Sequence, residues 1–252
     1  MNIAEVYPNP TVKEVVFQII FPNLFFLENK IGDIQLAIMS KFPISNLLYR
    51  RQVVFADIGQ DVTLTDMQKD LDTEKGHKIW QFKSSEGYQL NILNNSLDIS
   101  SKHHKTYNNE GGDKFRDIID FAISNFIRIT NIPTINRIGL RYIDECPIPK
   151  KSNTTFKRYY NTALPLSRFD ISLSDEMSFS TITKINNYKL RYSESIVETN
   201  DGPKLILDFD GFSENINSSE FLSTTDDLHS IISNEYNKTI KDPVITYMRK
   251  AK

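Results

Sequence analysis

Two arginines stand in a segment that otherwise has the alternation of a β-strand. Ile138, Leu140 and Tyr142 would point to one side of this strand, so Arg137 and Arg141 would point to the other. An unpaired guanidinium is costly to bury, because it loses its hydration and gains no partner. We therefore expect both arginines to face water, a carboxylate or a ligand.

Polar side chains recur at alternate positions in other predicted strands. They are Gln81, Lys83, Gln89, Asn91, Lys189, Arg191, Asp208 and Asp210. Each lies opposite apolar neighbours, so the pleat of one sheet would gather them on a single face. Cross-strand ion pairs, such as Arg191 with Asp208, are the structural interpretation of such a face.

The same face has a functional interpretation as a recognition surface. Arginine is a planar, bidentate donor to carboxylates and phosphates, so it suits the binding of an anionic group. On this hypothesis the ligand-binding residues are Arg137, Arg141, Arg191, Lys189, Gln89 and Asn91. The partner would be a protein encoded near this chain's own gene, or an anionic ligand.

Asp208 and Asp210 allow a second chemistry. Two carboxylates two positions apart on one strand face could bind a divalent cation. The protein would then be a metal-dependent nuclease or phosphodiesterase, which is the alternative function. Nuclease cores of this kind add a Glu-x-Lys on a neighbouring strand, and no such motif stands beside "LDFDGF".

Other catalytic or cofactor sites have little support in the sequence. The histidines, His77, His103, His104 and His229, include no pair at the i, i+4 spacing of a zinc-binding helix, and we expect them to be exposed to solvent. Cys146 falls on the apolar side of the arginine strand, which predicts a packing thiol. No Gly-rich phosphate loop is present, so we expect no cofactor.

The first half of the chain predicts a strand, a helix, a meander of strands and a longer helix. The predicted elements are a strand at 14–21, a helix over 31–42, strands at 50–58, 78–84 and 88–93, and a helix over 115–129 capped by Asp113. Gly87 marks a hairpin turn, and Pro43 ends the first helix. The polar stretch 59–76 is either loop or a short helix.

The second half repeats this order. Its predicted elements are a strand at 135–144, a turn of helix near 156–160, strands at 177–185, 188–198 and 203–212, a turn at Asn200-Asp201-Gly202, and a final helix over 228–240 capped by Asp226 or Thr225. The fold class is therefore α+β, with similar halves at 1–132 and 133–252. Each half would be an antiparallel meander backed by a long helix, and the two would form one continuous curved sheet with an open face.

Composition limits the partners and the compartment. The formal charge of −2 does not favour nucleic acid or an anionic membrane, so a nucleic-acid-binding protein that uses the curved sheet is a further alternative only. One cysteine excludes an internal disulfide and suits a reducing cytosol. No signal peptide and no apolar segment of about 18 residues is found, so we expect a cytoplasmic protein with no membrane partner.

Five short motifs stand between residues 9 and 143 of the chain. They are Asn9-Pro10, Glu14-Val15, Phe42-Pro43, Trp80-Gln81-Phe82 and Leu140-Arg141-Tyr142-Ile143. With them the chain resembles a sporadically distributed prokaryotic family of unknown function, whose pattern often continues with Asn-Arg where this chain has Asp144 and Glu145. Patchy distribution is typical of defence islands and toxin–antitoxin pairs, so the resemblance implies a role in such a system.

These patterns combine into one leading functional hypothesis. The charged residues of the open face, without an assembled catalytic set, predict a non-catalytic cytosolic recognition or regulatory protein. It would bind a protein or an anionic ligand on that face.

Overall fold

The computed structural model describes residues 6–50, 77–110, 114–200 and 202–250. These ranges form nine β-strands: β1 Val12–Ile20, β2 Ile44–Arg50, β3 His77–Lys83, β4 Tyr88–Leu93, β5 Ser96–Ser101, β6 Thr134–Pro147, β7 Met177–Ile185, β8 Tyr188–Thr199 and β9 Gly202–Asn217. They also form five α-helices: α1 Leu27–Ile38, α2 Phe115–Thr130, α3 Asn153–Tyr159, α4 Phe221–Thr239 and α5 Asp242–Arg249. None of these described helices is long and apolar enough to cross a membrane.

All nine strands belong to one antiparallel sheet. Their order is β2-β3-β4-β5-β1-β6-β9-β8-β7. The opening strands of the two halves, β1 and β6, pair with each other at the centre, and each also pairs with the last strand of its own meander, β5 or β9. The predicted α+β architecture of two similar halves in one continuous sheet is therefore confirmed.

The two long helices cover the same face of the sheet. Leu140 of β6 lies between Phe17 of β1 and Gly211 of β9 in a row of buried residues. A Cβ at Gly211 would lie 3.3 Å from Cδ1 of Ile232, so the glycine lets α4 approach the strands closely. In the first half the Phe115 ring of α2 stacks on Tyr88 of β4. The opposite face of the sheet, called the open face below, carries the polar residues of the alternating pattern.

Several local predictions are confirmed by the described residues. Gly87 has a φ of 85° in the turn between β3 and β4, a backbone conformation that favours glycine. The apolar stripe of α2 is buried. Cys146 is fully buried, and this burial raises the pKa of its thiol, as expected for a packing residue.

Several boundaries differ from the predictions. Helix α1 spans Leu27–Ile38 where 31–42 was expected, so it ends before Phe42 and is not ended by Pro43. Strand β9 continues to Asn217, beyond the expected end at 212. β2 occupies Ile44–Arg50, directly after Pro43, although a strand was expected only from residue 50. Helix α4 begins at Phe221 because the 3-10 turn Ser218–Glu220 runs into it, so Asp226 and Thr225 are interior helical residues and not caps. The remaining predicted strand 51–58, the stretch 59–76, the cap Asp113 and the turn residue Asp201 lie outside the described residues.

Candidate functional site

Arg137 and Arg141 both lie on the open face, and each is bound to a carboxylate of the neighbouring strand β9. Nε and Nη2 of Arg141 donate to the two oxygens of Asp208 at 2.8 and 2.6 Å. Nη2 of Arg137 donates to both oxygens of Asp210 at 3.1 and 3.0 Å. The cluster predicted from the sequence exists, but its strongest donors are already engaged within the chain.

The Arg137 side chain lies flat along the sheet because Gly139 leaves room for it. A Cβ at Gly139 would be 2.7 Å from Nη1 of Arg137. The guanidinium carbon lies 4.7 Å from the centre of the Phe212 ring, and Nη1 is 3.4 Å from the Oε1 of Gln18. Asp210, Phe212 and Gln18 thus hold this arginine, which makes it a structural part of the face.

Arg191 and Lys189 of β8 differ from these two arginines. Arg191 is exposed and stands opposite Asp210 in the strand register, yet it forms no ion pair with the described residues. The predicted pair of Arg191 with Asp208 is wrong, because Arg141 binds that carboxylate from the other side. Lys189 forms an ion pair of 2.8 Å with Glu214.

Gln89 and Asn91 belong to a separate network on the first half of the open face. The amide of Gln89 donates to Oδ1 of Asn91 at 3.4 Å, and Asn91 donates to Asp98 at 2.9 Å. Burial raises the pKa of Asp98, although the hydrogen bond from Asn91 works to lower it. The predicted site residues therefore share one face, but they are divided between two networks that meet at Gln18.

The carboxylates of the alternative metal site face arginines. Asp208 and Asp210 are each bound by a guanidinium, so a divalent cation would have to displace Arg141 and Arg137. Within the described ranges, no group of three or more histidine, cysteine, aspartate and glutamate side chains is arranged to hold a metal ion.

A cavity of about 300 Å³ lies on the opposite, helix-covered side, where the two halves meet. Its walls come from the lead into β1, the loop after β5, strands β6 and β9, helix α4 and the end of α5. Its lining residues include Thr11, His104, Lys105, Tyr107, Tyr142, Asp144, Phe209, Asp226, His229, Ser230, Ser233, Tyr236 and Met248. We call this space the helix-side cavity.

Asp144 is the buried carboxyl of the helix-side cavity. Its side chain is on the apolar side of β6, and the residue is 2% exposed. Thr11 donates its hydroxyl proton to Oδ1 at 2.7 Å, and Tyr236 can then donate to Thr11 across 2.6 Å. The second oxygen, Oδ2, forms no hydrogen bond with the described residues. Burial raises the pKa of Asp144 to about 7, because the charged form has lost most of its hydration.

Two histidines line the same cavity as neutral rings. Burial lowers the pKa of both His104 and His229 to about 4. His229 stacks on Tyr107 with ring centres 4.0 Å apart, and His104 meets Tyr142 edge-on at 5.4 Å. Nδ1 of His104 is shielded from solvent and has no hydrogen-bond partner in the part of the chain that the structure describes.

The expectation of exposed histidines is therefore wrong for His104 and His229. Neutral imidazole packs as an aromatic ring once neighbouring tyrosines supply a surface for it. His103, by contrast, is exposed, and the side chain of His77 lies outside the described residues.

Asp226 links the two halves at one end of the cavity. Arg116 of α2 binds both of its oxygens at 2.8 Å, and the Tyr107 hydroxyl donates to it at 2.7 Å. Burial works to raise the pKa of Asp226, but these hydrogen bonds hold it below its usual value. The charge of Asp226 is therefore balanced, whereas that of Asp144 is not.

Sequence reasoning missed this cavity for an identifiable reason. The sequence did contain one indication of the cavity. Asp144 lies between Tyr142 and Cys146 in the alternation of β6, at a position where an apolar residue is expected. The histidines gave no signal, because one comes from a loop of the first half and the other from a helix of the second.

Comparison with known proteins finds no matching family model, no matching curated protein and no matching solved structure.

Proposed function

We propose that the protein is a cytosolic, non-catalytic recognition protein that binds a small polar ligand in the helix-side cavity. The observation that carries this proposal is the carboxyl of Asp144, which is 2% exposed and accepts a side-chain hydrogen bond only from Thr11 among the described residues, beside about 300 Å³ of space. Binding pockets of proteins span about 300–1,000 Å³ and combine apolar walls with a few fixed polar groups. A ligand that donates a hydrogen bond to Oδ2 would offset the cost of burying this carboxyl.

The chemistry of the lining favours binding over catalysis. Nε2 of His229 lies 3.3 Å from the Ser233 hydroxyl, but an imidazole with a pKa of about 4 is a weak base and activates a hydroxyl poorly. Cys146 is buried with a raised thiol pKa, so it is a poor nucleophile.

A substitution at the edge of the cavity tests this proposal. Ser230 is exposed and lines the cavity, so Ser230→Trp should fill its opening and abolish binding of benzylamine, benzyl alcohol or benzoate, measured by ligand-observed NMR. Ser223→Trp is the matched control, because Ser223 is exposed on the same helix and its hydroxyl makes the same kind of bond to a backbone oxygen. Equal binding by wild type and Ser230→Trp, or no binding of any probe to the wild type, would refute the cavity as the ligand site.

A second candidate function is docking of an acidic segment of a protein partner on the open face. It is supported by Arg191, which is exposed and has no ion pair with the described residues, and by the neighbouring Lys189. In a pulldown with proteins encoded beside this chain's gene, as expected for a defence or toxin–antitoxin system, Arg191→Ala should reduce capture. Arg141→Ala should reduce it less, since Arg141 is held by Asp208; the reverse order would count against this surface.

A further inference from the structure

We infer that the ligand of the helix-side cavity is a small organic cation, a protonated amine whose ammonium group binds Oδ2 of Asp144. This inference rests on the proposed function of the cavity and names the chemical class of its ligand.

The balance of charge in the cavity favours a cation. Of the two carboxyl groups in the described lining, Asp226 is neutralised by Arg116, whereas Asp144 has, among the residues that the structure describes, only the hydroxyl of Thr11 as a side-chain partner. Lys105 is the one lysine or arginine among the described lining residues, and it is exposed on the loop after β5. An ionised carboxylate in a buried site is stabilised most by a cation that also donates hydrogen bonds, and an ammonium group does both.

The apolar part of the lining suits the same ligand. Five aromatic residues, Tyr7, Tyr107, Tyr142, Phe209 and Tyr236, line the cavity together with the neutral rings of the two histidines. The face of an aromatic ring attracts a cation within about 6 Å of its centre. An amine with an apolar or aromatic body would therefore find both a counter-charge and a wall of rings.

Other ligand charges fit less well. A carboxylate or phosphate would face the Asp144 charge without a fixed cation, since the guanidinium of Arg116 is already bound to Asp226. A neutral ligand would carry no charge opposite to that of Asp144, so the electrostatic cost of burying the ionised carboxylate would not be compensated.

The inference has a defined pH dependence. The groups around Asp144 come from the lead into β1, from β6, from α4 and from α5. They are Thr11, then Tyr142 and Cys146, then Tyr236 and Met248. The tyrosines and the cysteine among them have raised pKa values and stay neutral, and the histidine pKa values of about 4 lie well below neutrality. Between pH 6 and 8 the cavity therefore gains charge through Asp144, whose pKa is about 7.

The experiment compares three probes that share a benzene ring and differ in charge: benzylamine, benzyl alcohol and benzoate. Isothermal titration calorimetry on the full chain at pH 8 should give benzylamine an affinity at least tenfold above the other two. Because only ionised Asp144 binds the ammonium group, the benzylamine affinity should fall about tenfold from pH 8 to pH 6, while that of benzyl alcohol should not fall.

Two variants complete the test. Asp144→Asn keeps an acceptor for Thr11 but removes the charge, so it should abolish the preference for benzylamine. Glu194→Gln is the control, because Glu194 is a fully buried carboxyl that is bound by Thr162 and the Ala163 amide away from the cavity; it should keep the preference.

The outcomes separate the inference from the proposed function. Binding that is blocked by Ser230→Trp but equal for the three probes, or tightest for benzoate, would overturn the cationic ligand and leave the cavity as a binding site. Absence of any binding that Ser230→Trp can block would overturn both. The wild-type probe and pH series needs no variant, so the inference remains testable if Asp144→Asn fails to fold.

Discussion

The open face and the helix-side cavity treat charge in opposite ways. On the open face Arg137 and Arg141 are matched by Asp210 and Asp208 within the chain. In the cavity Asp144 is almost fully buried and has no cationic partner among the described residues. The charged residues of the open face thus largely neutralise one another, whereas the buried carboxyl of Asp144 has no cation to neutralise it among the described residues. One charged residue at a strand position where the alternation predicts an apolar residue is therefore a stronger sign of a binding site than many charged residues on an exposed sheet face.

The largest expected effect concerns the cavity histidines. Their pKa values are lowered to about 4, so their contribution to stability is complete above pH 6.5 and is lost as the pH falls toward 4. Replacing both His104 and His229 by Phe should remove about 4 kcal/mol of the pH dependence of unfolding between pH 6.5 and 4.5. Urea unfolding at the two pH values measures this, with His103→Phe as the exposed control. An unchanged dependence in the double variant would show that the rings are not held neutral by burial.

Asp144 should act in the opposite direction. Its pKa is raised to about 7, so its contribution to stability is complete at low pH and is lost as the pH rises from about 4 to 7. The free energy of unfolding of Asp144→Asn relative to wild type should increase by about 3 kcal/mol from pH 5 to pH 8. Chemical unfolding at both pH values provides the measurement, and the exposed Asp175→Asn is the control for net charge. A difference that stays constant with pH would mean that Asp144 is ionised without cost, and the contrast with the open face would disappear.

The arginine pairs of the open face should have a smaller effect. The double substitution Arg137→Ala and Arg141→Ala should lower the free energy of unfolding by about 2 kcal/mol, because it leaves two half-buried carboxylates without partners. Arg191→Ala, on the same face but without an ion pair to the described residues, should stay within about 0.5 kcal/mol of wild type. A double variant as stable as Arg191→Ala would mean that the pairs do not order the face and that the arginines are free to bind a ligand.

The smallest effect tests how Arg137 is positioned. In Gly139→Ala the new Cβ would overlap Nη1 of Arg137, and the flexible arginine should move away from Asp210. We expect a loss of about 1 kcal/mol that is not additive with Arg137→Ala, since both changes remove the same contact. A double-mutant cycle of Gly139→Ala and Arg137→Ala, measured by thermal unfolding, gives the coupling energy between the two positions. Full additivity would show that the glycine is not required for the position of Arg137.

Much of the fold could be predicted from short-range patterns. The stripe of Phe115, Ile118 and Phe126 predicted α2, and the alternation around Leu140 gave the correct buried side of β6. The start of α4 could not be predicted from its apolar stripe, because the first turns bury Thr224 and Thr225, whose polar side chains hide the helical period.

The candidate sites were predictable to different degrees. The sequence placed Arg137, Arg141 and Arg191 on the correct face, but not their partners, because a strand pattern gives orientation and not register. The register places Arg141 directly opposite Asp210, yet its guanidinium binds Asp208 diagonally across the strands. The cavity was not predicted, since Thr11, His104 and His229 come from three distant segments.

By itself, the sequence determined the elements and the two faces of the sheet, because helical and strand periods are set by the geometry of neighbouring residues along the backbone. Only the tertiary structure decided which charges meet. Ion pairs and burial depend on groups that are remote in sequence, and the energy of a charge depends on all of them at once. The same reason explains why Asp208, on the open side, is matched by Arg141, while Asp144, three residues from that arginine, lies buried with no cation beside it in the described part of the chain.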